Sequence, residues 1–460
     1  MADDLAGLGI KRGDRVATVL PNGLPAIVTF LAAATAGTAA PLNPGYRLDE
    51  FSFFLEDTAA RILLLPPDGA TEVRQAAEGK VPMYSVQMDQ SGYVRILDAP
   101  GGPQSVKHPG PDDVALVLHT SGSTGRPKRV PILQTNLGAS AQNIADTYEL
   151  SPDDVSVCVM PLFHVHGLVA SVLSTFKSGG TVVIPAKFSP LSFWRMVRDT
   201  GATWYSAVPT IHQLLLTRAA GQRPAGSESL RFIRSCSAAL PPKMMHSMEQ
   251  VFGVPVLEAY GMTEAAHQMC SNPLPPKHRK AGSVGPGTGI KVSIMNTAGK
   301  HLTAGHRGVV VIQGPNVVRE YENNPEATAQ SFTDGWFHTG DQGYLDEEGY
   351  LILTGRLKEL INRGGEKIAP REIDEILLAH PSVAEAVAFG VPHPTWGEEV
   401  EAAVVLRTAS DEGSILAFCK ERLAEFKRPK KLYIVDKIPR TATGKIKRGA
   451  VAEAFAGEKK

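Results

Sequence analysis

Through the first two-thirds of the chain, short apolar, β-branched runs alternate with longer amphipathic stretches. Strand-like runs fall at residues 15–20, 61–65, 114–118, 155–159, 181–184, 203–207, 231–235 and 256–259. Helix-like stretches lie between them, at 191–199, 210–219 and 241–252 for example. The strand runs are nearly all apolar, as strands covered on both faces should be. This alternation predicts an α/β fold of parallel sheets covered by helices.

Beyond about residue 280 the texture changes. Glycine-punctuated strands at 291–295, 308–313 and 350–354 predict a small β-rich subdomain. A third region follows position 356. It carries helices at 371–378 and 414–426 and strands at 383–389, 401–406 and 432–435, enough for a small α+β C-terminal domain. The expected organisation is one large unit over 1–356 and a smaller one over 357–460. A length of 460 residues fits two or three domains.

Composition removes several classes. The formal net charge is zero, so no large field favours nucleic acid or an acidic membrane surface. Cys158, Cys236, Cys270 and Cys419 are scattered with no CxxC pair, which fits a reducing compartment and neither a disulfide framework nor a structural zinc site. The least polar stretch, 26–42, is rich in Ala, Thr and Gly and is shorter than the ~20 apolar residues of a membrane span, so it reads as a buried helix. No secretory signal opens the chain and no Ser-Lys-Leu address closes it. The expectation is a cytoplasmic enzyme with small-molecule partners, no nucleic acid and no stable membrane anchor.

The strongest local signal is Thr120-Ser121-Gly122-Ser123-Thr124-Gly125-Arg126-Pro127-Lys128, after a strand and before a helix expected from about Thr135. In a loop of this composition backbone N–H groups and hydroxyls converge on phosphate oxygens, and Lys128 adds a point charge. The GxxxxGK[ST] spacing of a Walker loop is absent. Alone, such a stretch also suits a flexible surface loop.

This nonapeptide closely resembles the signature of the adenylate-forming superfamily, which comprises acyl-CoA synthetases, luciferases and peptide-synthetase adenylation domains. Further family motifs follow in order: Pro161-Leu162-Phe163-His164-Val165-His166-Gly167, Ser237-Ala238-Ala239-Leu240, Tyr260-Gly261-Met262-Thr263-Glu264, Trp336-Phe337-His338-Thr339-Gly340-Asp341, Gly355-Arg356-Leu357-Lys358-Glu359, Gly364-Gly365-Glu366-Lys367 and Thr443-Gly444-Lys445. The resemblance spans the chain. It implies an ATP-dependent acid–CoA ligase that uses ATP, Mg²⁺ and coenzyme A. A carboxylic acid becomes an acyl-adenylate with release of pyrophosphate, and CoA then takes the acyl group.

The site residues carry over as implications of that resemblance. Thr120, Ser121, Gly122, Ser123, Thr124, Gly125 and Lys128 would cradle phosphates. Ser237, Ala238, Ala239, Glu258, Ala259, Tyr260 and Gly261 would line the nucleotide, with Tyr260 stacked on adenine. Asp341 and Arg356 would reach the ribose, Thr263 the α-phosphate, and Glu264 the Mg²⁺, a hard cation that takes carboxylate oxygen. Lys445, with Glu264, Thr263 and His164, is the expected catalytic set, since a cation eases the approach of a carboxylate to a phosphate. Lys358 would be the hinge, and Gly364 and Gly365 would border the path of the CoA arm after the small domain rotates.

Stretches 162–168, 207–213, 232–238, 262–267 and 359–366 further resemble the oxalyl-CoA synthetases. That implies a short polar acid pocket built from His164, Ser235, Ser237, Ala266 and His267, with a protonated His267 pairing with the second carboxylate. A medium-chain or aryl acid–CoA ligase, an adenylation domain and a nucleotide-binding pseudoenzyme remain as alternatives. There are two departures from the family pattern. Arg129 stands where the family usually has glycine, and either contacts phosphate or crowds the loop. The opening 5–16 matches a stretch some tens of residues into family members, so a first segment is expected to be missing.

Overall fold

The structure, a computed structural model, describes residues 1–97, 99–100, 102–120, 127–441 and 445–456. Its core is two largely parallel sheets, as the alternation predicts. The first runs in spatial order Val94–Ile96, Met83–Met88, Ala60–Leu65, Arg15–Thr18, Thr38–Pro41, Val114–Thr120 and Lys128–Leu133. Only its two outer strands are antiparallel to their neighbours. The second runs His267–Ser271, Val256–Met262, Phe232–Ser235, Trp204–Ala207, Val155–Cys158 and Thr181–Val183, parallel except for the first.

Helices cover both sheets. Pro209 and Pro242 occupy first-turn positions, where a missing N–H costs nothing. Asp411 and Asn324 cap two later helices by accepting from Ser414 N–H and Ala327 N–H. One continuous apolar cluster joins the sheets, from Val16 and Leu116 through Leu168 to Trp204, Phe232 and Met269.

A third sheet, mostly antiparallel, holds Lys291–Met295, Gly308–Gln313, Trp336–Leu345 and Phe332–Thr333, with Leu351–Arg356 paired to the long strand. A fourth is built by the C-terminal part of the chain: Glu366–Ile368, Ile361–Arg363, Gly397–Leu406 and Val383–His393, with Lys431–Ile434 beside Gly397–Leu406. It has its own core of Ile361, Ile373, Leu377, Ala402 and Ile415. Among the described residues no helix is long and apolar enough to cross a membrane, and all four cysteines are free and buried.

The structure departs from the sequence reading at three places. The stretch 26–42 is not one helix: Leu24–Ala36 is helical, and Thr38–Pro41 is a strand buried in the first sheet. The expected helix 414–426 ends at Lys420. The Ser/Gly/Thr loop does not lead from strand to helix. It joins Val114–Thr120 to the antiparallel strand Lys128–Leu133, in register Thr120 with Lys128, and the helix Gln134–Thr147 follows. Ser121, Gly122, Ser123, Thr124 and Gly125 lie outside the described residues, as do Thr443 and Gly444.

Arg129 turns away from that loop. Its guanidinium donates to the Asp57 carbonyl at 2.6 Å and lies 3.4 Å from the carboxylates of both Asp57 and Glu322. His119 binds the same Asp57 carboxylate at 2.8 Å. Arg129 therefore staples the edge of the first sheet to the helix Leu48–Thr58 and to the segment after the third sheet's second strand.

Candidate active site

One strand supplies much of the site. Val256–Met262 lies beside the edge strand of the second sheet, with Val256, Leu257, Glu258 and Ala259 buried, and delivers Tyr260 and Gly261 to the sheet's C-terminal edge. A single turn, Thr263–Ala265, then presents Thr263 and Glu264 before the chain reverses into His267–Ser271. The reversal is tight. A Cβ on Gly261 would lie 2.2 Å from the His267 carbonyl oxygen, so only glycine fits. Ala266 (φ 47°) and His267 (φ 122°) both occupy backbone conformations that L side chains rarely adopt. Strain of about 1–3 kcal/mol per such residue persists only where the surroundings fix it, often at functional sites.

On one side of this turn Tyr260, Asp341 and Arg356 interlock. The Tyr260 hydroxyl donates to one Asp341 oxygen in a short hydrogen bond, and Arg356 Nε donates to the other at 2.8 Å. Asp341 and Arg356 face each other across paired strands. Burial, and after it the Asp341 charge, pushes the Tyr260 phenol well above its ordinary pKa, so Tyr260 stays a neutral donor.

Glu264 is buried, and one of its oxygens accepts from Tyr321 Oη at 2.8 Å and Thr120 Oγ1 at 3.4 Å. Its second oxygen has no hydrogen bond among the described residues. Lys128, which flanks the Ser/Gly/Thr loop, lies over the Tyr321 ring at 4.3 Å. The loop end, Tyr321 and Glu264 thus form one constellation. Among the described residues no group of three potential metal ligands gathers. Glu264 is therefore suited to a cation that takes most of its other oxygens from elsewhere, as Mg²⁺ does from phosphates and water.

Glu258 holds the neighbouring loop Ser237-Ala238-Ala239-Leu240. One oxygen accepts from Leu240 N–H at 2.9 Å; the other is buried with no partner. Burial raises its pKa to about 7. Ser237 sits at φ 71°, and the Ser235 hydroxyl is also buried without a partner.

On the other side of the turn three histidines meet. His166 and His267 rings stand edge to face with centroids 5.2 Å apart. His166 Nδ1 is 2.9 Å from Ser237 Oγ, and its Nε2 is 2.7 Å from Ser206 Oγ. His164 shares a cleft with Thr263, Phe163 and Leu118. Ala266 is fully buried beneath this group.

Lys445 reaches into the same space from the turn between Arg440 and Ile446. It is within electrostatic reach of Glu264, Asp341 and Arg356 on one side and of His164, His166 and His267 on the other. Burial, with Arg356 adding to it, lowers its pKa.

This neighbourhood corrects the charge expected on His267. Burial drives all three imidazoles down, His164 to about 3, and the cations Arg234 and Lys445 add to the effect at His267. His267 is a neutral donor here, not an imidazolium. Lys358 is exposed on the turn Leu357–Glu359, its pKa lowered by partial burial and then by Lys128. Gly364 (φ 60°) and Gly365 (φ 93°) form the two-residue turn between Ile361–Arg363 and Glu366–Ile368, whose positive φ values by themselves favour glycine. A Cβ on Gly365 would meet open space.

The sequence reading passed over Arg234, His166, Ser206 and Tyr321. The first had a visible signal: Phe232-Ile233-Arg234-Ser235 puts a cation inside a strand whose four residues are all buried.

The AMP-binding enzyme family matches residues 1–322, and the AMP-binding enzyme C-terminal domain matches 372–445. The chain is similar to an oxalate–CoA ligase of Arabidopsis thaliana (48% identity; 97% of this chain, 89% of the relative) and to one of Saccharomyces cerevisiae (45%; 97% and 88%). It is also similar to a probable CoA ligase of Humulus lupulus, at 49% identity over 98% of this chain and 88% of the relative. Among solved structures, ATP-bound MatB from Rhodopseudomonas palustris superposes with a TM-score of 0.92 at 33% identity, covering 100% of this chain and 92% of that one. The o-succinylbenzoate CoA synthetase MenE from Bacillus subtilis, in complex with ATP and magnesium, gives 0.86 at 30% identity, covering 98% and 91%. The chain therefore belongs to the AMP-binding enzyme family.

Proposed function

We propose that this protein is an ATP-dependent, AMP-forming acid–CoA ligase and that its acid is oxalate. The observation that carries the reading is the seat of Lys445. Its ammonium group is within electrostatic reach of the Glu264 and Asp341 carboxylates and of the buried histidine cluster. A carboxylate attacking an α-phosphate brings two anions together. A cation held where that charge gathers acts on the transition state more than on the separate reactants.

On this reading Thr263 and Lys128 hold phosphate oxygens, and Glu264 would hold Mg²⁺, which would supply charge neutralisation at the phosphates. Asp341 and Arg356 take the ribose, Tyr260 and Ala259 flank the adenine, and Ala238 and Ala239 line it from the loop that Glu258 secures. The acid lies against His164, Ser235, Ser237, Ala266 and His267. One carboxylate oxygen of the acid attacks the α-phosphorus and pyrophosphate leaves. The CoA thiolate then attacks the acyl carbonyl and AMP leaves. For the second step the unit 357–460 would swing about Lys358, withdrawing Lys445 and bringing Gly364 and Gly365 to the CoA arm.

Oxalate is supported by the names of the Arabidopsis and yeast relatives and by the pocket's chemistry. The pocket carries hydroxyls and imidazoles, and Ser237 and Ala266 stand where space for an acyl tail would be needed. Pyrophosphate release measured on oxalate, malonate, octanoate and coumarate, with and without CoA, tests the reading. Oxalate should give the highest kcat/KM, and a preference for octanoate or coumarate refutes it.

A further inference from the structure

Arg234 is fully buried in the strand Phe232–Ser235, and its guanidinium meets no carboxylate among the described residues. Nε donates to Tyr148 Oη at 2.9 Å and lies 3.3 Å from Gln268 Oε1. One terminal nitrogen donates to Ser206 Oγ at 2.9 Å; the other donates to Gln268 Oε1 at 3.0 Å and to His267 Nδ1 at 3.4 Å. The Cys236 side chain also reaches the guanidinium. None of these partners is a carboxylate, and burial holds the Tyr148 phenol protonated and the His267 ring neutral. Buried charges are ordinarily paired, because an isolated one costs several kcal/mol of desolvation. These hydrogen bonds satisfy the donors of Arg234 but leave its charge without a carboxylate partner among the described residues.

The bonds also fix which way protons point. Ser206 Oγ already accepts from Arg234, and His166 Nε2 is the only acceptor within reach of its own hydrogen among the described residues. The Ser206 hydroxyl therefore donates to His166 Nε2. His166 then carries its proton on Nδ1 and donates it to Ser237 Oγ. That leaves the Ser237 hydroxyl hydrogen free to donate onward. By the same logic His267, accepting at Nδ1, carries its proton on Nε2. Two relays leave one buried cation, and each ends in a donor on a residue assigned to the acid pocket.

We infer that Arg234 is a positioning residue for acid selectivity: its unpaired charge, relayed through Ser206–His166–Ser237 and through His267, tunes the pocket for an acid that keeps a second negative group once the first has reacted. The inference rests on the acid–CoA ligase reading but not on the identity of the acid. Any compact dianion completes the charge balance; a monoanion consumes its only charge in forming the adenylate.

The test compares oxalate with oxamate, which has nearly the same shape and one charge fewer, in wild type, Arg234→Gln, Arg234→Lys and Ser206→Ala, with malonate and malonamate as a second pair. In Arg234→Gln, KM for oxalate should rise about 100-fold with KM for ATP unchanged. Turnover of oxamate should hold or improve, so the dianion preference collapses. Arg234→Lys should restore part of that preference, which a space-filling role does not predict. Ser206→Ala, which keeps the charge and cuts one relay, should lose about 10-fold on oxalate alone. It decides the matter if Arg234→Gln fails to fold. Equal losses on oxalate and oxamate in a folded variant overturn the inference, as does a wild type that favours monoanions. A wild type that favours malonate over oxalate, with the preference still lost in Arg234→Gln, refutes the oxalate reading and supports the role of Arg234.

Discussion

Replacing Glu258 by glutamine should make the protein less sensitive to rising pH. Glu258 is 1% exposed, and its pKa stands at about 7 against 4.5 for an unconstrained glutamate. The native state therefore holds a proton that the unfolded chain releases above pH 4.5. Between those values the native state binds more protons, so stability falls as pH rises, and the loss levels off above pH 7. Integrating the two titrations, the wild type loses about 2.5 kcal/mol from this group between pH 5 and pH 8.

Glutamine cannot ionise, keeps the acceptor for Leu240 N–H, and leaves a buried donor unpaired. That last cost is the same at both pH values and cancels in the comparison. With an unfolding entropy of about 1 kcal/mol/K for a chain of this length, the difference in melting temperature, variant minus wild type, should grow by about 2–3 °C from pH 5 to pH 8. Differential scanning calorimetry at the two pH values measures it. A difference that stays constant, or shrinks toward pH 8, refutes the assignment of a buried, protonated Glu258.

Lys445→Ala should abolish pyrophosphate release from acid and ATP while leaving thioester formation from supplied acyl-adenylate within a few-fold of wild type. Separate assays of the two half-reactions decide, and equal loss in both counts against the swing of 357–460. Arg129→Ala should cost about 2 kcal/mol of stability, because it strips a half-buried staple from Asp57 and Glu322, and should leave KM for ATP unchanged. A raised KM for ATP at unchanged stability would return Arg129 to the phosphates.

Much of the fold is legible in the sequence because strands buried on both faces must be apolar throughout. The runs that became Ala60–Leu65, Val155–Cys158 and Trp204–Ala207 announce themselves for that reason. Thr38–Pro41 stayed hidden because Ala and Thr carry no strong signal, and the neighbouring helix supplied one that swallowed it. Lys128–Leu133 opens on two cations and contains a proline, which suits a strand at the sheet's edge and reads as loop. The residues proposed for the nucleotide stand in contiguous motifs, and the structure gathers Tyr260, Asp341 and Arg356, although Ser121 to Gly125 lie outside the described residues. The surroundings of the proposed acid pocket were only half legible. Arg234 gains its meaning from Tyr148, Ser206 and Gln268, which arrive from three separate elements. The protonation of His267 depends on neighbours no linear reading assembles.

The Tyr260–Asp341–Arg356 interlock has a consequence for turnover. Both oxygens of Asp341 already have a donor from the protein itself, so a ribose diol bound there, as proposed, would share or displace those hydrogen bonds. Nucleotide affinity at this carboxylate would then be a difference between two competing sets of bonds, not the full strength of either. For a ligase that releases AMP after every cycle, such an internal competitor would refill the vacancy as the product leaves. Because Arg356 is the last residue before the turn Leu357–Glu359, an exchange at Asp341 would also alter the tether on the segment that leads into the fourth sheet.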